Sequence, residues 1–349
     1  KNGQVYLEFY NLFYRNNTSF LGNSFANPFN VSRVNGLGIL YPVATVRGSL
    51  VFGIGFNRIH HYDDLMSFSG YSNYNNGMEF PINTDGQLLY YGFNKDVERY
   101  EKIMSNGARD LLTISFGIAL SPNLAGGISV SKMKGLENYD FEFLQKDIAD
   151  NYQQFPADFQ SYEVFQSLKT KTEAWKLRGG VKYIYSPFQF GFSIALPYNV
   201  NVVENHGTQE RLIFDNADYS DTLEFGYYDY KVQMPATMDL GIAFVTDLNL
   251  SFSIAYRLQD WSKMQFNLMD FSAQSEDYTI MSVENDLIEQ EYRLVSQLRV
   301  GVEGLIPFSK TFGITVRSGM AFIPSAQQND ATEKQIASFG LGLPIQRRI

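Results

Sequence analysis

Runs of about ten residues in which large apolar side chains alternate with small or polar ones recur along almost the whole chain, joined in turn by a tight turn and a long connection. Successive side chains of a strand point to opposite faces, so each run has one apolar face and one mixed face. The clearest run sets Phe188, Phe190, Phe192, Ile194, Leu196 and Tyr198 against Gln189, Gly191, Ser193 and Ala195. One face suits hydrocarbon and the other does not. Repeated at this length, the pattern predicts an all-β fold, a transmembrane antiparallel β-barrel with long extracellular loops.

The alternation predicts strands over Thr45 to Arg58, Leu111 to Leu120, Leu124 to Lys132, Ala174 to Tyr185, Phe188 to Tyr198, Thr237 to Val245, Leu248 to Leu268, Tyr292 to Ile306, Thr311 to Ile323 and Ser338 to Ile345. Val5 to Phe20 and Val34 to Tyr41 bring the number to twelve. Tight turns fall at Pro42-Val43, Ser121-Pro122-Asn123, Ser186-Pro187, Thr246-Asp247 and Pro307 to Lys310, mostly on turn-forming residues. The other connections run to about 50 residues after Arg58, and about 40 after Lys132 and around Asn216, with shorter ones near Ser275 and Asn329. Turns therefore gather at one barrel end and loops at the other, which a soluble β-sandwich gives no reason to expect. Around Gln259, Asp260 and Trp261 the alternation breaks and then resumes, which predicts a β-bulge near the membrane edge.

No composition shift or linker divides the 349 residues, so residues 1–349 read as one domain. A hydrophobic fraction of 44% and a mean hydropathy of -0.21 hide the membrane signal, as expected when only alternate residues meet lipid. The 29 Phe and 23 Tyr have a natural place on a lipid face and its aromatic girdles. With no Cys, disulfide frameworks, thiol chemistry and Cys-based zinc sites are excluded. A net charge of -9 argues against nucleic acid as a partner. The chain opens on Lys1 without a signal peptide, and is expected to be a processed or trimmed form.

If the apolar set faces lipid, the inward set contains Arg47, Arg178, Lys182, Arg257, Arg293, Arg299 and Arg317 against Asp239 and Glu303, seven cations to two carboxylates. Unpaired buried charge is costly, so water, ions, further carboxylates or an anionic ligand must compensate. Arg's planar fork suits a carboxylate head group. The first long loop carries Leu88, Leu89, Tyr90, Tyr91 and Phe93. The second carries Phe141, Phe143, Leu144, Ile148, Phe155, Phe159, Phe165 and Leu168, with helical spacing in places. Such loops either pack on one another or cover something apolar. Gly53 and Gly55 point inward on one strand, where they permit a bend or merely thin the wall.

His60, His61, Asp63 and Asp64 make a poor metal site, because adjacent His side chains point to opposite sides of an extended segment. A solvated loop top is the expectation, and no metal or cofactor is predicted. Neither they nor His206 fall inside a predicted strand, which argues against hydrolytic chemistry, so no catalytic residue is assigned.

The segments LGILYPVATVRGSLVFGIGFN from Leu37, WKLRGGVKYIYSPFQFGFSIALPYN from Trp175, MPATMDLGIAFVTDLNLSFSIAYRLQDW from Met234 and RVGVEGLIPFSKTFGITVRSGMAFIP from Arg299 resemble the FadL/TodX family of outer-membrane transport proteins. The resemblance runs from about Leu37 onward and consists of strand patterns. It implies a bacterial outer-membrane barrel of 14 strands with an N-terminal hatch, and passive, cofactor-free uptake of long-chain fatty acids or other hydrophobic molecules. Capture would fall to the aromatic loops, and lateral exit to a kinked strand. In strand order that strand is the one with Gly53 and Gly55. The family's Asn-Pro-Ala hatch element is not matched by Asn27-Pro28-Phe29, which lies late, and Arg347-Arg348-Ile349 lacks a terminal aromatic. The hatch and the last strands are therefore expected to be missing. Besides the hydrophobic cargo, outer-membrane lipid is an expected partner. The alternative is a FadL-like scaffold or docking subunit for a membrane-protein partner in a secretion assembly.

Overall fold

The computed structural model describes residues 3–45, 48–75, 77–93, 95–154, 158–246, 250–308 and 313–342, with the backbone alone at Thr84. Arg47, among the predicted lumen cations, and Phe155 in the second loop lie outside the described residues. The elements begin with β1 (Gln4–Phe20), β2 (Asn23–Val43), β3 (Leu50–His61), β4 (Asp64–Ser72), β5 (Phe80–Thr84) and β6 (Gln87–Tyr91). Next come β7 (Val97–Ala119), β8 (Leu124–Lys146), β9 (Phe159–Tyr185), β10 (Phe188–Ala195), β11 (Tyr198–Phe214) and β12 (Tyr219–Met234). The rest are β13 (Thr237–Val245), β14 (Leu250–Asp260), β15 (Gln265–Phe266), helix α1 (Glu276–Glu291), β16 (Leu294–Pro307), β17 (Gly313–Pro324) and β18 (Glu333–Gly342).

One antiparallel sheet runs in the order β1-β2-β3-β7-β8-β9-β10-β13-β14-β16-β17-β18, twelve strand positions that match the twelve predicted strands one for one. On its loop side, β4 continues along β7, β11 continues along β9, and β12 pairs with β11 and β15. Hairpin β5-β6 stands apart. The turn between β1 and β2 places Leu21 and Gly22 at φ of 47° and 82°, a left-handed pair that Gly22 adopts freely.

Register turns the period-2 pattern into a surface. Phe190, Ile242, Ile254, Val300 and Met320 form one cross-strand row, and Phe192, Leu240, Tyr256, Leu298 and Phe322 form the next. In the first half of the sheet Ile39, Ile54, Ile114, Val130 and Leu177 continue the band and are 36–60% exposed. A continuous exposed apolar band on one sheet face is what a lipid-facing wall requires. The opposite face carries rows such as Gly180, Ser193, Asp239, Arg257 and Gln297.

The long connections differ from expectation. Most of the supposed loop after Lys132 is strand: β8 and β9 stay paired from Met133↔Ala174 to Lys146↔Ser161. The helical spacing has no counterpart, because Phe141 and Leu144 lie on opposite faces of β8. Beyond the apolar band both faces carry polar side chains, so alternation fades although the ladder continues. Helix α1 fills the connection around Ser275, whose Oγ caps it by accepting from the Tyr278 N–H at 3.2 Å. Instead of a bulge, a 3-10 turn at Trp261–Lys263 ends β14.

Candidate functional site: an apolar mouth above a cationic belt

Alternate residues of β9 lay out the site in order along one face: Ala174, Lys176, Arg178, Gly180 and Lys182. At the top, Ala174 is buried with Met133, Val200 and Val202, flanked by Leu111, Tyr198, Tyr230, Val232 and Met234. This ring is inward by register, since Val200 pairs with Ala174 and Tyr198 with Met234. One step down, Lys176 Nζ stands 4.8 Å from the centre of the Tyr198 ring, a cation–π contact.

The next level centres on Asp239. Its carboxylate accepts from Arg257 Nε at 2.6 Å and from Ser193 Oγ at 3.2 Å, and Arg178 Nη1 lies 3.7 Å away. Arg299 Nη2 donates to Gln297 Oε1 at 3.1 Å. Lys182 follows, facing Ala125 and Gly191 across the ladders. A concavity of about 460 Å³ here is lined by Lys182, Ser193 and Asp239 with small residues including Gly127, Gly180, Gly191 and Ala255. Five cations, Lys176, Arg178, Lys182, Arg257 and Arg299, thus follow one another down the inward face around the single carboxylate of Asp239. The excess of positive charge favours an anion, and the Arg forks fit a carboxylate.

Two predicted lumen cations are already engaged. Arg317 Nε pairs with Glu303 at 2.5 Å, farther toward the turn end. Arg293 is not a free lumen cation: its guanidinium donates to the Ser325 and Asp330 carbonyls at 3.1–3.4 Å and anchors the connection after β17. Lys176 was missed by sequence reading, although the same period-2 count along β9 includes it.

The predicted capture residues divide by burial. Phe93 is 1% exposed and stacks on Phe159 at 4.7 Å within a cluster of Phe80, Val97, Tyr162, Val164 and Leu212. Tyr91 and Phe143 pack against that cluster. Burial, reinforced by Glu210, pushes the Tyr162 hydroxyl up to about 12. By contrast Leu88, Leu89 and Tyr90 on β6, and Ile148 beyond β8, remain exposed. Phe141 shares the inward face of β8 with Phe143, and Leu144 faces outward.

No register shift falls at Gly53 or Gly55. Both sit in ladders unbroken on each side, Gly53 between Leu40 and Ser115 and Gly55 between Gly38 and Thr113. Their missing side chains make room instead: a Cβ at Gly53 would lie 2.5 Å from Ser115 Oγ, and one at Gly55 2.7 Å from Tyr6 Oη. The irregularity in β3 lies higher, between Arg58 and His60. From there β3 parts from β2, whose shared ladder ends at Gly36↔Asn57. Side chains bridge the split, with Arg33 Nη2 at 2.6 Å from Asp63 and Tyr10 Oη at 2.7 Å from His61 Nδ1. All three His lie in strands, contrary to expectation, His60 and His61 on β3 and His206 on β11.

No protein-family model and no curated protein matches the chain. Solved structures do match. A FadL homologue from Pseudomonas aeruginosa aligns over 99% of this chain and 77% of its own, at 12% identity and a TM-score of 0.52. The CymD monoaromatic hydrocarbon channel aligns over 97% and 78%, at 10% identity and 0.51. The toluene transporter TodX of P. putida aligns over 97% and 78%, at 12% identity and 0.50. Twelve strands in sequential antiparallel order, an apolar outer band and this near-complete alignment give one conclusion: the chain has the β-barrel fold of the FadL and TodX proteins.

Proposed function

We propose that the protein is a passive channel of the bacterial outer membrane, built from residues 1–349 as one barrel unit, that takes up hydrophobic small molecules and prefers amphiphiles with a carboxylate, such as long-chain fatty acids. The observation that carries this reading is the apolar ring around Ala174 and Val200 set directly above Lys176 and Arg178. A hydrocarbon chain gains about 0.8 kcal/mol per buried methylene from such a ring. A carboxylate then gains from the cations that Asp239 leaves in excess. Toluene, the cargo of the TodX structure, would use the ring but not the cations. Exposed Leu88, Leu89, Tyr90 and Ile148 would take cargo from outside. Cargo would leave through the wall where β3 parts from β2, bypassing the aqueous side where its apolar surface gains nothing. The reading invokes no cofactor and no catalysis.

Native mass spectrometry of the full chain with a long-chain fatty acid and with its methyl ester tests the preference. The acid is expected to bind at least about tenfold more tightly, and the K176Q/R178Q variant to lose most of that margin, since each charge-assisted hydrogen bond contributes about 1.5–3 kcal/mol. Equal binding of acid and ester by the parent chain would overturn the carboxylate preference.

A further inference from the structure

The wall carries a second feature, on its outer face. Between the pairs Ala195↔Thr237 and Tyr198↔Met234, the segment Leu196-Pro197 faces Pro235-Ala236, and neither proline has an N–H to give the ladder. Against β9, four residues, 196–199, stand opposite three, 175–177, which is a bulge. The irregularity opens an outward groove of about 490 Å³. Trp175, Leu177, Leu196 and Pro197 line its apolar part, and Lys132 and Asn201 belong to its polar rim.

Beside and above that rim, β8, β9 and β12 hold five outward lysines, Lys132, Lys134, Lys169, Lys171 and Lys231, among three carboxylates, Glu173, Asp229 and, from the turn after β15, Asp270, while Asp110, opposite Lys134 on β7, is held by Arg58. The patch is net positive by two, on a chain whose net charge is -9. Glu173 is shared, 3.4 Å from Lys132 and 3.6 Å from Lys134, and Lys231 pairs with Asp270 at 2.8 Å. Lys169 and Lys171 make no ion pair among the described residues. The groove continues the apolar band at its upper edge, where Leu112, Lys132 and Trp175 share a row.

We infer that this groove and lysine patch bind an anionic, phosphorylated lipid of the surrounding outer leaflet, with an acyl chain against Trp175 and Leu196 and its phosphate among Lys132, Lys134 and Lys171. Two arguments select this occupant. The groove is continuous with the lipid-facing band, so a membrane lipid meets it without leaving the bilayer. The charge above it has the sign a phosphate requires, and clustered lysines at a membrane edge read as sites for anionic lipid. The inference rests on the reading of the apolar band as membrane-embedded.

The chain has two Trp, so W261F leaves Trp175 as the sole reporter. In phosphatidylcholine vesicles holding this full-chain variant, brominated phosphatidic acid is expected to quench Trp175 at a mole fraction at least about fivefold lower than brominated phosphatidylcholine, the advantage that even one of the two net lysines gives at the surface. K132Q/K134Q/K171Q on that background should erase the difference. If the triple variant does not fold, K171Q alone should reduce it. Equal quenching of the parent by both lipids, or a preference unchanged in the folded lysine variants, overturns the inference. Quenching by neither lipid overturns it as well, and through a different failure, because Trp175 would then lie outside the bilayer.

Discussion

Replacing Ile254 by Lys tests whether the exposed apolar band is buried in hydrocarbon. Ile254 lies four residues from Leu250 and six from Asp260 on β14, between Ile242 and Val300. At about 3.3 Å per residue the nearer end is about 13 Å away along the strand. A tilt of about 40° leaves about 10 Å of depth, too far for the ammonium to regain full hydration. The isoleucine is 56% exposed, so the substitution forfeits little protein packing and the cost is that of placing charge in lipid. That cost is about 2–4 kcal/mol near the midplane and about 0–1 kcal/mol near either interface. The adjacent Ser253 faces the lumen, opposite Ala243 and Gly301, and S253K should cost less than about 1 kcal/mol. Reversible urea unfolding of barrels inserted in lipid vesicles reads the difference. An I254K cost equal to or below that of S253K would refute the assignment of the two faces.

Among the capture residues, F93S should destabilise the loop end by about 3–5 kcal/mol, as for a buried Phe, and raise its amide exchange. The L88S/L89S/Y90S triple, on an exposed hairpin, should leave exchange unchanged and slow uptake. R33C/D63C joined by a reducible bis-maleimide, selective because the chain has no Cys of its own, should stop cargo leaving while the channel still binds it, and reduction should restore flow. The hydroxyls of Tyr162 and Tyr230 are pushed up to about 12, first by burial and then by Glu210 and Glu204. A tyrosine raised above its ordinary value of about 10 favours the neutral form in the fold, so its stabilisation holds below pH about 10 and is lost as pH rises through about 12. Phenolate absorbance should accordingly show a late-titrating class that Y162F/Y230F removes.

The half of the sheet that carries the apolar band was legible because a wall with one apolar face repeats every second residue. Phe190, Phe192, Ile254 and Val300 had to alternate with Gly191, Ser253 and Arg299, and the register later joined them into rows. Above the apolar band the constraint lapses. Lys171 and Glu173 face water while Thr172 and Ala174 face inward, so little in their hydropathy marks β9 as continuing to Phe159. The cations were found by counting twos, but not which of them were engaged. Arg293 ends on carbonyls of Ser325 and Asp330, which only the return of the chain after β17 brings near. Glycines in β3 likewise mark room for Tyr6, Leu40 and Ser115, and the parting of β3 from β2 is a property of pairing that hydropathy does not carry.

The central claim is that this barrel conducts carboxylate-bearing hydrophobic cargo, and the most direct measurement is uptake of a radiolabelled long-chain fatty acid by bacterial cells whose only barrel of this fold is this chain. Uptake should rise well above that of cells lacking the chain, and fall several-fold in cells carrying folded K176Q/R178Q at equal abundance. Uptake no faster than in cells without the chain would contradict the account.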